Sequence, residues 1–243
     1  MNRSIAVGAA AIATLACVAG RSMAQSEGAV AGYVALTLTP TGGLTPVVRP
    51  WMAGVPQSAI GIDGRWGRVK AGNDAHMNTL VVGVSVPVAG GRGDVTFSGG
   101  HLSMDCDGCS GEFVAGVSTE RGLFRQELDG RGTRFGLGIN GSLGFGKPDG
   151  ATLWSATFGA PVYLAVGTLG KVQVVPFVTP SVGWGLILPD EGDSQSGVRF
   201  LAGAGVGILN AAPGVNLNFG LQKTFIAGGE MVFGAGLSYM IPR

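Results

Sequence analysis

Apolar residues recur at every second position through most of this chain. Between Thr152 and Val166 the even positions are Trp154, Ala156, Phe158, Ala160, Val162, Leu164 and Val166, while Ser155, Thr157, Gly159 and Pro161 fall between them. From Lys171 to Leu188 the even face carries Val172, Val174, Val178, Val182, Trp184 and Leu186. The odd face carries Lys171, Gln173, Thr179, Ser181 and Gly183, interrupted by Val175 and Phe177. Arg134–Phe145, Val198–Leu209 and Val215–Gln222 follow the same rule. A repeat of two is the period of a β-strand with two unlike faces. It predicts strands at Val30–Thr39, Asn78–Val88, Asp94–Ser103, Glu112–Thr119, Thr133–Phe145, Thr152–Val166, Lys171–Leu188, Val198–Leu209, Val215–Thr224 and Glu230–Ile241. That makes ten strands. An irregular N-terminal part would reduce the count to eight, and further strands at Ala59–Val69 and Gly122–Leu128 would raise it to twelve.

The polar face decides which architecture these strands build. The water-facing side of a soluble sheet is rich in Lys, Glu, Asp and Arg. Here it is mostly Gly, Ser, Thr and Asn. There are 45 glycines in 243 residues, well over twice the usual share of roughly 7%. Charged residues make up 13%, about half the usual share of roughly 25%. Glycine weakens a strand and leaves nothing to pack, so small uncharged residues suit a confined lumen better than an open surface. The runs also match the roughly 9–11 residues of a tilted membrane strand. The expected fold is all-β, an antiparallel up-and-down transmembrane β-barrel with apolar side chains facing lipid. A secreted soluble barrel or sandwich that binds a ligand is the alternative. The net charge of +1 gives no footprint for nucleic acid.

Residues 1–24 read as an export signal. Asn2-Arg3-Ser4 is followed by an uncharged run from Ile5 to Gly20, and Ser22-Met23-Ala24 offers small residues for cleavage. Residues 25–243 then form a single barrel domain. The mature chain keeps two cysteines, Cys106 and Cys109 in Cys106-Asp107-Gly108-Cys109, expected as a disulfide in an oxidising compartment.

Together the leader, the repeated ten-residue alternations and the short turns resemble the small bacterial outer-membrane β-barrel proteins. The likeness is architectural and covers residues 25–243. Gly234, Leu237 and Tyr239 match the spacing of the family's last-strand assembly signal, although the chain ends Met240-Ile241-Pro242-Arg243 rather than on an aromatic residue. The resemblance implies the bacterial outer membrane as location and the outer-membrane assembly machinery as partner. Trp154, Trp184, Phe158, Phe200 and Tyr239 are the expected membrane girdle. Arg134, Asn140, Lys171, Gln173, Arg199, Asn216, Asn218 and Gln222 are the expected lumen residues.

No enzyme or cofactor motif emerges. The only histidines are His76 and His101, and neither stands in a recognisable nucleophile or metal pattern. Lipid-modifying catalysis at the rim is a minor alternative. The non-enzymatic roles are a narrow passive channel, left by stacked glycines on the lumen face, or a structural and surface-interaction barrel. In the second, the long loop 40–77 is an outer loop in which Arg49, Trp51, Arg65, Trp66, Arg68 and Lys70 meet lipopolysaccharide phosphates or a partner. The same glycines would equally let a loop or aromatic side chains fold into the lumen.

Overall fold

A computed structural model describes residues 48–53, 59–70, 76–88, 90–104, 112–130, 132–147, 151–167, 171–225 and 231–241. Alternation along the chain becomes eleven strands in one antiparallel sheet. They are β1 (Gly61–Lys70), β2 (His76–Pro87), β3 (Gly93–Met104), β4 (Glu112–Glu127), β5 (Arg134–Lys147), β6 (Ala151–Gly159), β7 (Val162–Ala165), β8 (Gln173–Pro189), β9 (Gln195–Ala212), β10 (Val215–Thr224) and β11 (Met231–Met240).

β6 and β7 are halves of one stave, since both lie between β5 and β8. The break falls at Ala160-Pro161. Pro161 has no N–H for the ladder, but its carbonyl still accepts from Gly138 N at 2.9 Å, and Ala160 N donates to Pro180 O at 3.0 Å. Each stave pairs with the next in sequence. β11 returns to β1, from Gly61 opposite Met240 to Val69 opposite Val232. The sheet is therefore a closed ten-stave barrel, and closure satisfies backbone groups that would otherwise need water.

Nine of the ten expected strands are present, most with small shifts at their ends; β4 runs well past the expected Thr119 to Glu127, and Thr152–Val166 is divided into β6 and β7. Val30–Thr39 lies outside the described residues. The stave that closes the barrel is β1, which falls on the alternative strand Ala59–Val69, inside the segment 40–77 otherwise expected to be an outer loop. Its pattern is weak because Asp63 and Arg65 occupy inward positions while Ile62 and Trp66 face outward beside Arg68. Glu120 to Gly132 is no separate strand. β4 runs on to Glu127 through a bulge between Gly122 and Phe124, and Leu128 N bonds Thr133 O at 2.9 Å across the turn. The β9–β10 turn is Pro213-Gly214, where Gly214 takes φ +74°, a value that favours glycine after proline in a tight turn.

The two faces are inverted relative to a water-soluble protein. Leu80, Phe97, Phe113 and Leu143 are each close to 60% exposed (61, 60, 59 and 58%). Asp63, Ser85 and Ser238 are fully buried at 0%. Burying one such apolar side chain is worth about 1.5–3 kcal/mol, so a belt left facing outward on every side needs an apolar solvent.

Candidate functional site

The barrel interior contains the chain's concentrated charge and also a piece of the chain itself. Residues Val48–Ala53 lie within the end that carries the short turns. Pro50 opens a 3-10 turn over Pro50–Ala53, a position its fixed φ suits, and Met52 N bonds Arg49 O at 3.0 Å. Trp51 is 2% exposed and packs edge-on against Tyr163, with ring centroids 6.0 Å apart. Val48, Met52 and Ala53 join them with Ala165, Val175, Phe177 and Leu209 in one apolar cluster. Val175 and Phe177, the exceptions on an otherwise polar face, are apolar because they face this segment.

Glycines on the inner face make room for it. A Cβ at Gly207 would overlap the Val48 side chain, and one at Gly122 would stand 2.9 Å from Trp51 Cζ3. Gly138 also faces the Trp51 ring, and Gly136 lies under the Tyr163 ring. The stacked glycines thus accommodate the chain's own side chains.

Polar contacts hold the segment to five strands. The Arg49 guanidinium donates from Nη1 to Asp63 Oδ1 at 2.7 Å and from Nη2 to Asp63 Oδ2 at 2.8 Å. Nη2 also reaches Thr96 Oγ1 at 2.9 Å, and Nε sits 2.7 Å from Asp94 Oδ2. Val48 N donates to Asn218 Oδ1 at 2.7 Å. Arg134 Nη1 donates to Ala53 O at 2.9 Å, and Arg125 Nη1 to Trp51 O at 3.3 Å. A bidentate pair between fully desolvated partners is the strongest form of such contact.

Above the segment, Arg65, Asp94 and Glu120 line a cavity of about 70 Å³ with Arg49, Asn140, Thr179 and Gln222. Its walls combine hydroxyls, amides and both signs of charge. Beyond it, towards the other end, Val81, Leu102, Val114 and Leu153 form a second apolar cluster with Met77 and Ile187 packed against it. The interior is therefore filled in three storeys: apolar, charged, apolar.

The expected lumen residues are distributed as follows. Gln173, Arg199, Asn216 and Asn218 are buried at 1–3% exposure, and Gln222 at 9%. Asn216 links Asn210 N (3.1 Å) to Ser238 Oγ (3.1 Å), and Gln173 Nε2 reaches Gly167 O at 3.2 Å. Asn140 is half-buried beside its ladder partner Glu120. Arg134 braces the internal segment. Lys171 departs from this set, lying exposed in the β7–β8 turn.

On the outer face, Trp154, Trp184, Phe158 and Tyr239 are exposed, and Phe200 is partly covered. Leu237 faces outward with Tyr239, whereas Gly234 faces inward. Cys106, Cys109 and residues 1–24 lie outside the described residues. Arg49 and Trp51 are a correction. They were expected on an outer surface loop and instead occupy the interior, as does Arg65, because Asp63 and Asp94 offer Arg49 a desolvated partner pair there. Asp63, Asp94 and Glu120 were not singled out from the sequence. Their signal is charge at inward strand positions in a chain that otherwise keeps those positions neutral. Among the described residues no group of three His, Cys, Asp or Glu side chains converges as metal ligands.

No family model and no curated protein matches the sequence. Solved structures similar to it are bacterial outer-membrane barrels. The β domain of the Bordetella autotransporter BrkA is 16% identical, covering 76% of this chain and all of that one, with a TM-score of 0.44. The N-terminal β-barrel domain of Pseudomonas aeruginosa OprF is 13% identical over 76% of this chain and 98% of that one, TM-score 0.36. Ail, the attachment invasion locus protein of Yersinia pestis, is 14% identical over 75% and 97%, TM-score 0.32. What this chain has in common with them is the closed antiparallel barrel.

Proposed function

We propose that this protein is an integral barrel of the bacterial outer membrane, non-enzymatic, whose lumen is closed by its own chain. It serves as a structural and surface-presenting barrel rather than as an open diffusion channel. The observation that carries this reading is Arg49, 2% exposed inside the barrel and clamped between Asp63 and Asp94. A solute crossing the lumen would have to displace that residue and then pass the second apolar cluster. Breaking a buried ion pair of this kind costs about 3–5 kcal/mol, and the packed Trp51, Met52 and Val48 add to the barrier.

The apolar outer belt supports the membrane location over the soluble binder. Export through cleavage after Ala24, a Cys106–Cys109 disulfide and delivery by the outer-membrane assembly machinery belong to the same reading.

Two measurements test it. Expressed with its leader, the protein fractionates with outer membranes and shows heat-modifiable gel mobility; recovery from the soluble periplasm would refute the location. Refolded protein in a planar bilayer gives a flat current trace. Steady single-channel steps from folded wild-type barrel would refute the closed lumen.

A further inference from the structure

At the turn end of the barrel, on its rim and beside the lumen mouth lined by Trp51, Arg92 and Tyr163, β4 continues past its neighbour. The last contact on that side is Gly122 N to Arg92 O at 2.7 Å, and Leu123 beyond it is the extra residue of the bulge opposite β5, without a ladder partner on either side. The step leaves a recess of about 290 Å³ lined by Val88, Gly90, Arg92, Arg121, Gly122 and Leu123. Arg92 and Arg121 are both exposed. Neither side chain has a hydrogen bond or ion pair among the described residues. The nearest carboxylates in sequence, Asp94 and Glu120, turn into the barrel and are 2% and 8% exposed. The recess is thus lined by two arginines and, among the described residues, by no acid.

Its height on the barrel is set by the register. Arg121 is opposite Gly93, the first residue of β3. Immediately above on the outer face come Val84 and Val86 of β2 and Phe97 of β3, exposed at 45, 42 and 60%. Arginine therefore stands where the apolar belt ends, with Leu123 and Val88 supplying apolar wall beside it. This is the layout of a lipid headgroup site: chains against the belt, phosphate at the guanidinium forks.

We propose that this recess binds the phosphodiester headgroup of an anionic phospholipid from the leaflet at the turn end. The inference rests on the membrane reading above. Two arginines whose side chains have no partner among the described residues match a headgroup with net negative charge better than a zwitterionic one, whose ammonium would meet like charge. The Gly122–Arg92 backbone bond and Thr119 Oγ1 donating to Asp94 O at 2.9 Å tie the two elements, so the site is preformed.

The test uses full-length protein refolded into phosphatidylcholine vesicles containing a minority of phosphatidylglycerol. It is then extracted in mild detergent, and retained lipid is counted by native mass spectrometry. Wild type should retain phosphatidylglycerol over phosphatidylcholine. The R92Q/R121Q variant should lose that preference by about tenfold, the scale of charge-assisted contacts. R68Q, on the outer face towards the other end, should keep it. Folding is checked by heat-modifiable mobility; should the double variant fail to fold, the single R92Q and R121Q variants carry the comparison.

Equal retention of the two lipids by wild type would overturn the site, as would unchanged preference in the folded variants. Displacement of the lipid by millimolar inorganic phosphate, or by an acidic peptide such as polyglutamate, would likewise overturn a lipid site. Vesicle flotation separates the two levels. Protein that floats without lipid preference refutes only the recess, whereas protein that does not float refutes the membrane reading.

Discussion

Arg49 grips Asp63 through both guanidinium Nη atoms, at 2.7 and 2.8 Å, inside a barrel where both side chains are almost wholly buried. The two residues are fourteen apart in sequence, yet one belongs to the internal segment and the other to the strand that closes the barrel. Their pairing joins lumen closure to barrel closure. Substituting R49M leaves Asp63 and Asp94 buried without their cation, and the barrel should lose about 3–5 kcal/mol. The R49M/D63N double variant should lose less than the two single variants together, because each removes the other's stranded charge. Denaturant unfolding of vesicle-inserted protein measures both; strict additivity would refute the coupling.

Gly207 is the inner-face position that Val48 needs. G207A should destabilise the protein by about 1–3 kcal/mol through overpacking. G64A is the control, because a Cβ there meets nothing within 4 Å. It should be neutral or slightly favourable. Equal effects of the two substitutions in the same unfolding experiment would argue against a filled lumen.

The four tryptophans divide by environment. Trp66, Trp154 and Trp184 are 40, 44 and 39% exposed on the outer face, whereas Trp51 is 2% exposed within. Single-tryptophan variants in brominated-lipid vesicles should show strong quenching at the first three. Trp51 should be protected from both bromolipid and aqueous iodide. Iodide quenching of Trp51 in folded protein would place it in water.

Leu80 separates a lipid-facing belt from an ordinary exposed surface. In water an exposed Leu→Arg change usually falls within about ±0.5 kcal/mol. On the lipid face near mid-span it costs about 2–4 kcal/mol. L80R should therefore show the larger loss in vesicles, with T79S, an inward substitution that keeps the hydroxyl, close to wild type. A neutral L80R would refute the membrane belt.

The outer face was largely legible from the chain. Alternating Leu80, Val82 and Val84, or Trp154, Ala156 and Phe158, announce one apolar side wherever the strand sits, since lipid contact asks only for a side chain of the right character. The interior was less legible. Val175 and Phe177 broke the polar pattern, and glycine stacked at 136, 138, 205 and 207, but neither signal says what fills the space. β1 was obscured because its charges point inward to partners distant in sequence.

Local pattern by itself determined the strand class, the turn positions and the inverted faces, because period two and glycine turns are properties of neighbouring residues. Only the tertiary structure decided that the lumen is occupied and by which segment. That outcome depends on Arg49 meeting Asp63 and Asp94, Trp51 meeting Tyr163, and Val48 meeting Gly207. Each of these pairs exists only after the ten staves have closed and water has been removed from the space between them.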